Sequence, residues 1–249
     1  MIIYRLGPNG ELMDFGWLKT MGRPAKKGRS FWGPDWWVLL HSAAAKFDAD
    51  PTSRPDPTTM GAGLRPDPTA LEVIVAAYQG LLPCEQCRAH LKTNVSSIPI
   101  QKYIDSGNAL LWTWLLHDKV NRILGKTSPS FDVVKTYYAT RPQTGPSKWA
   151  VLHGAAAAYK PEHRVQFKSL LYTFANSNFD AVDAKPTFLD LLKTYPVDDY
   201  LYNNHVLFLY VYILHDAINK KLGKTSPTFE DVRNYYFSAL GEECKACDL

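Results

Sequence analysis

A chain of 249 residues is long enough for one large domain or two small ones, and its 46% hydrophobic and 13% aromatic content is that of an ordinary globular protein. Lys and Arg exceed Asp and Glu by 28 − 24 = 4, too mild an excess to point to a nucleic-acid partner. Met1 to Pro8 hold no sustained apolar stretch, so neither a secretory signal nor a spanning helix is expected; no membrane association and a cytosolic setting are.

Lys19, Arg23, Lys26, Lys27 and Arg29 lie among Gly and Pro with no acid between them, which reads as a solvated basic arm over residues 1–30. Phe31 to Phe47 then reads as a helix, with Pro34 in its first turn and Trp37, Leu40, His41 and Ala44 at helical spacing. Arg-Pro-Asp-Pro-Thr occurs at 54–58 and again at 65–69, and so many prolines exclude regular structure. A second helix is expected from Ala70 to Tyr78, a third from Cys84 through Leu91, and a fourth from Asn108 to Leu124, stopped by Gly125. Ser130 caps a fifth through Tyr138. No alternating strand pattern is found, and the fold class is all-α.

The second half repeats the first. Gly33 to His41 returns as Gly145 to His153, and His117 to Phe131 returns as His215 to Phe229. The registers are 153 − 41 = 112 and 215 − 117 = 98, so the second copy is fourteen residues shorter in between. Tandem helical bundles follow, residues 31–141 and 142–240, each of a normal domain size, with a flexible tail at 241–249. The four cysteines form two Cys-x-x-Cys pairs, Cys84/Cys87 in the first copy and Cys244/Cys247 in the tail. The second copy's counterpart of the first pair, near 176–180, contains no sulfur. It reads as a degenerate copy, packed on the first as an internal partner, with further dimerisation left open.

Two residues between cysteines place the sulfurs within bonding reach when the first cysteine starts a helix, and the helix N-terminus favours a thiolate there. A four-cysteine zinc site is the rival reading, yet Cys84 and Cys244 are 244 − 84 = 160 positions apart, against roughly 15–20 in the usual zinc ribbon. A thioredoxin-like site would need a strand before the pair, and the sequence offers helices.

Trp32-Gly33-Pro34-x-x-Trp37-x-x-Leu40-His41, Pro83-Cys84-x-x-Cys87-Arg88-x-His90 and His117-x-x-Val120-Asn121-x-x-Leu124-Gly125-Lys126, in that order, resemble the Erv/ALR family of FAD-dependent sulfhydryl oxidases. The first two motifs are most similar to members carried by large DNA viruses, for which a host cytoplasm or a virion is the expected location. The resemblance implies a four-helix bundle plus a short fifth helix, FAD in its mouth, protein thiols as substrates, and O2 reduced to hydrogen peroxide. It implies Cys87 against the flavin and Cys84, nearer solvent, as the atom that an incoming thiolate attacks. Trp32, Gly33, Trp37, His41, Trp114, His117, Asn121, Lys126 and Tyr138 become the cofactor-binding set. Cys244 and Cys247 become a shuttle pair, and no metal is expected. Asp118 departs from the Asn common at that place, and Pro34 from the Arg of many cellular members. The alternative is a non-catalytic helical scaffold with a cysteine zinc site.

Overall fold

A computed structural model describes residues 27–50, 69–140, 145–176 and 184–240, and among these the regular structure is helical throughout. The first half holds α1 (Arg29–Ala49), α2 (Ala70–Leu81), α3 (Glu85–Ser97), α4 (Gln101–Asp105), α5 (Ala109–Ile123) and α6 (Phe131–Thr140). The second holds α7 (Gly145–Ala157), α8 (Arg164–Asn176), α9 (Ala184–Thr194), α10 (Asn204–Lys221) and α11 (Phe229–Leu240), with 3-10 turns at Pro161–His163 and Val197–Tyr200. The five helices expected in the first half are present; the short α4 is an addition. The Arg-Pro-Asp-Pro-Thr stretch up to residue 68, the counterpart of the cysteine pair at 177–180, and the tail lie outside the described residues.

Local chemistry fixes the helix ends around the site. Thr69 opens α2 with a capping box: its hydroxyl accepts the Glu72 N–H at 3.3 Å while the Glu72 carboxylate accepts the Thr69 N–H at 2.9 Å. The Asp48 carboxylate, at the end of α1, accepts the Ala109 and Leu110 N–H groups at 2.8 and 2.9 Å, so α1 caps α5 across the bundle. Gly125 takes φ 63° after α5, and the Lys126 N–H returns to the Asn121 carbonyl at 2.8 Å. This turn, open only to a residue that tolerates positive φ, sets where Lys126 stands.

In the first half α1 packs on α2, α5 and α6, α3 on α2 and α5, and α4 on α5. The second half repeats each of these contacts: α7 packs on α8, α10 and α11, α9 on α8 and α10, and the turn at 197–200 on α10. Between halves, α1 meets α7 and α2 meets α8. Gly80 permits this approach, since a Cβ there would meet Gln166 Cγ at 3.0 Å, whereas a Cβ on Gly154 would make only ordinary contact with Trp36 Nε1 at 3.8 Å. The Ser147 hydroxyl donates to Asp35 Oδ1 across the same seam at 3.1 Å. At its far end the Gly28 N–H donates to the Ala239 carbonyl at 2.8 Å, and Phe31 packs edge-on to Tyr235 and Tyr236. The last turn of α11 is thereby tied to the start of α1.

Candidate active site

Cys84 is the N-cap of α3, and its sulfur accepts the Cys87 N–H at 3.2 Å. The two cysteines form a disulfide with Cα atoms 5.1 Å apart, so this bond sits at the positive end of a helix, where a thiolate released from it is favoured. The Arg88 guanidinium donates to the Leu82 carbonyl at 2.7 Å and ties the turn before the pair to the helix after it. The expectation that Cys84 is the more solvent-facing sulfur is corrected. Cys84 is 7% exposed, because the cap position turns it into the protein beside buried Leu81 and Leu82, whereas Cys87, one turn on, is half-buried.

The exposed part of Cys87 faces a cleft of about 290 Å³ whose walls come from α1, the end of α2, α3, α5, the loop after α5, and α6. Trp32, Gly33, Trp37, His41, His117, Asn121, Lys126 and Tyr138 all line it. Eight of the nine residues expected to hold a cofactor are therefore brought together beside one cysteine. Trp114 is the exception. Its indole N–H donates to the Pro129 carbonyl at 2.9 Å and its ring packs on Phe131, so it holds the loop that carries Lys126 instead of lining the cleft. Arg29, Ser30, Leu91, Asn94 and Thr127 line the cleft without having been expected there, and His90, an exposed side chain, stands at its rim. The spacing Cys87, His90, Leu91, Asn94 is one face of α3 and was the signal that could have found three of these.

One hydrogen-bond chain fixes the protons of the aromatic wall. Thr113 donates its only hydroxyl proton to the Leu110 carbonyl at 2.9 Å, so its oxygen accepts from His41 Nδ1 at 2.7 Å. His41 Nε2 then carries a lone pair and accepts from His117 Nδ1 at 2.9 Å, leaving His117 Nε2 an acceptor. Both imidazoles are neutral at pH 7: burial, and secondly the neighbouring His117, push His41 well below the usual range, while burial and then Lys126 lower His117 to about 4 against the opposing pull of Asp118. The His117 ring lies flat on Trp37, centroids 4.0 Å apart and planes 3° from parallel. Asn121 Nδ2 donates to the Ser128 hydroxyl at 3.0 Å and steadies the loop. Asp118, the departure from the resembled pattern, is engaged by Arg122 at 2.7 Å one turn on.

The second half keeps the same constellation in a different state. Trp149 stacks on His215 at 4.1 Å and 8°, His153 Nε2 stands 3.3 Å from His215 Nδ1, and Asn219 Nδ2 donates to the Ser226 hydroxyl at 3.1 Å. These four residues are at most 6% exposed: Phe188 covers Trp149 at 5.3 Å, and the ammonium of fully buried Lys148 lies over both rings. Among the described residues no group of three or more His, Cys, Asp or Glu could hold a metal ion, and no helix is long and apolar enough to cross a membrane.

The residues present fit a flavin dinucleotide. A flat indole and imidazole wall suits an aromatic ring system, Lys126 and Arg29 suit a diphosphate, and the His117 acceptor suits a hydroxyl or amino group. No solved structure matches the chain. A curated relative, the FAD-linked sulfhydryl oxidase ERV1 of Oryza sativa subsp. japonica, is 32% identical over 90 residues. That alignment takes in 36% of this chain and 40% of the relative, so the chain spans well under half the length of the rice protein. Residues 34–139, in the half that builds the cleft, match the Erv1/Alr family model, and the bundle they form is similar to that family.

Proposed function

We propose that the chain is an FAD-linked sulfhydryl oxidase that converts protein dithiols to disulfides at Cys84 and Cys87, with O2 as the final acceptor. The observation that carries this reading is the sharing of one cleft by Cys87 of a disulfide and by the Trp37, His41, His117, Lys126 wall. Trp37 and His117 would hold the ring system, Lys126 and Arg29 the phosphates, and Tyr138 the floor beside His41. When bound, FAD supplies an acceptor for an electron pair and delivers it to dioxygen, giving hydrogen peroxide.

A substrate thiolate attacks Cys84 Sγ, forming a mixed disulfide and releasing Cys87 as a thiolate on the cleft side. The substrate's second thiolate then attacks the substrate sulfur of the mixed disulfide, releasing the Cys84 thiolate. Two protons pass to solvent and two electrons remain on the cysteine pair. Because Cys84 is only 7% exposed, the attacking thiol must be presented on a thin, extended segment instead of a folded surface. The tail pair Cys244/Cys247 follows α11, whose end is tied to Gly28 beside the cleft residues Arg29 and Ser30. We assign it the role of shuttle.

The second half is proposed to be a degenerate copy of the same bundle that packs on the first as a built-in partner, with one FAD per chain. Its covered Trp149 and buried His153 support that count. The Cys87-Arg88-Ala89-His90 run favours a role like that of the family members of large DNA viruses. Purification of the full chain tests the reading. A yellow protein that bleaches with dithiothreitol and consumes oxygen while releasing peroxide is expected; a colourless chain that neither takes up FAD nor consumes oxygen would refute it.

A further inference from the structure

Helix α3 brings more than a cysteine to the cleft. Cys87, His90, Leu91 and Asn94 recur at the 3, 4 and 7 spacing of one helical face, and all four line the same space. The last of them is out of keeping with its surroundings. Asn94 is 4% exposed, and its Nδ2 is a fully enclosed donor with no hydrogen-bond partner among the described residues. A buried amide left in that condition destabilises the chain that carries it, and such groups are rare in folded proteins. The cost is understandable if the amide is completed by something that enters the cleft.

We propose that Asn94 is a cofactor-positioning residue whose side-chain amide pairs with the imide edge of the flavin ring, Nδ2 donating to a ring carbonyl and Oδ1 accepting the ring N3–H. This rests on the FAD reading above and adds a residue to it. The chemistry selects that edge. A primary amide offers one donor side and one acceptor side, and within the flavin ring system only the imide presents the complementary pair, much as Asn pairs with an adenine edge in DNA. The dimethylbenzene end of the ring has no polar atom to offer, and the diphosphate end is served by cations. Leu91 beside Asn94, itself buried, keeps water from competing for the amide. Cys87 and Asn94 then grip the ring from one helix, so that the position of the ring relative to the sulfur is set by the rigidity of α3 and not by a loop.

The test compares FAD with 3-methyl-FAD, in which the imide N–H is blocked, on the full chain and on Asn94→Leu and Asn94→Asp. Affinity is read from quenching of flavin fluorescence, which needs no turnover. The original chain should bind 3-methyl-FAD about tenfold more weakly than FAD, the size of one hydrogen-bond pair. Asn94→Leu should bind FAD about tenfold more weakly and lose the preference between the two flavins, while its flavin-free form melts no lower than the original. Asn94→Asp keeps the shape and the acceptor, replaces the donor by a charge, and should also lose affinity for FAD; it provides the measurement if the leucine variant does not fold. Unchanged FAD affinity in both variants, or a preference for FAD over 3-methyl-FAD that survives Asn94→Leu, overturns the assignment. If the original chain bound neither flavin, the FAD reading would fall instead.

Discussion

Mild acid should unfold this protein, and the reason lies in four histidines with no room for a proton. His41, His153 and His215 are at most 6% exposed, and all are held neutral chiefly by burial, His153 down to about 3. His117 is lowered to about 4. In the unfolded chain each returns to a value near 6.5. The folded values are the lower ones, so between them and 6.5 the unfolded state binds more protons, and stability is full above pH 6.5 and is lost as pH falls. At pH 5 His153 and His117 each cost about (6.5 − 5) × 1.36, or roughly 2 kcal/mol. Those two rings together remove about 4 kcal/mol, and His41 and His215, both held well below 6.5, add to the loss in the same direction; the whole stability of many domains is about 5–15 kcal/mol. Urea unfolding followed by circular dichroism at pH 7.5, 6.5, 5.5 and 5.0 measures the slope. His153→Phe, placed among Phe208 and Tyr236, removes one titrating ring and should lower that slope by about 1.4 kcal/mol per pH unit. A stability that is level from pH 7.5 to 5.0, or a variant that keeps the original slope, would refute the burial argument.

Cys87→Ser should consume no oxygen with any thiol, since serine at neutral pH is neither a leaving group nor a nucleophile in this exchange, yet it should keep its helical spectrum and lose no more than about 2 kcal/mol for so short a disulfide loop; full oxygen uptake by the variant would displace Cys87 from its role. A chain truncated after Gly241 should oxidise dithiothreitol at the original rate and protein dithiols poorly, and equal rates on both would remove the shuttle. Titration of the flavin-free chain with FAD should saturate at one equivalent, and saturation at two would mean that Trp149 and His215 open to admit a second cofactor.

Much of this site was legible in the sequence because it is written in repeats and helical spacings. The 112 and 98 registers pair Trp37 with Trp149 and His117 with His215, and both pairs stack. What was not legible depends on neighbours remote in the chain. Helix α1 has no clear apolar stripe, because Trp36, Leu39, Ala43 and Phe47 are buried as well as Leu40 and Ala44; the helix faces its own bundle and α7 at once. Trp114 has the spacing of a cleft residue, at 114, 117 and 121, but the Pro129 carbonyl draws its indole to the loop. Asn94 shares a helical face with Cys87 and Leu91, which the spacing records, but its burial with an unpartnered amide depends on the packing around α3. The relative exposure of the two cysteines hinges on the cap geometry of Cys84, which spacing alone leaves open.

The two halves together separate what a flavin site needs from what a motif records. Trp149, His153, His215, Asn219 and Lys224 reproduce the first cleft residue by residue, down to the stack, the imidazole pair and the Lys224 N–H returning to the Asn219 carbonyl at 2.8 Å. The differences lie around them. Lys148 stands where the 112 register puts Trp36, Phe208 where the 98 register puts Leu110, and Val211 where it puts Thr113, the residue that orients His41. Phe208 packs on His153 at 5.1 Å and Phe188 on Trp149 at 5.3 Å, so aromatic side chains occupy the two rings that the first half leaves facing a cleft. Burying those rings contributes stability whether or not a ligand is present, whereas an open Trp37 and an orphaned Asn94 amide cost stability until one binds. The half that carries Cys84 and Cys87 is therefore the half that stands to gain stability from a cofactor, and the half without them is closed by its own side chains.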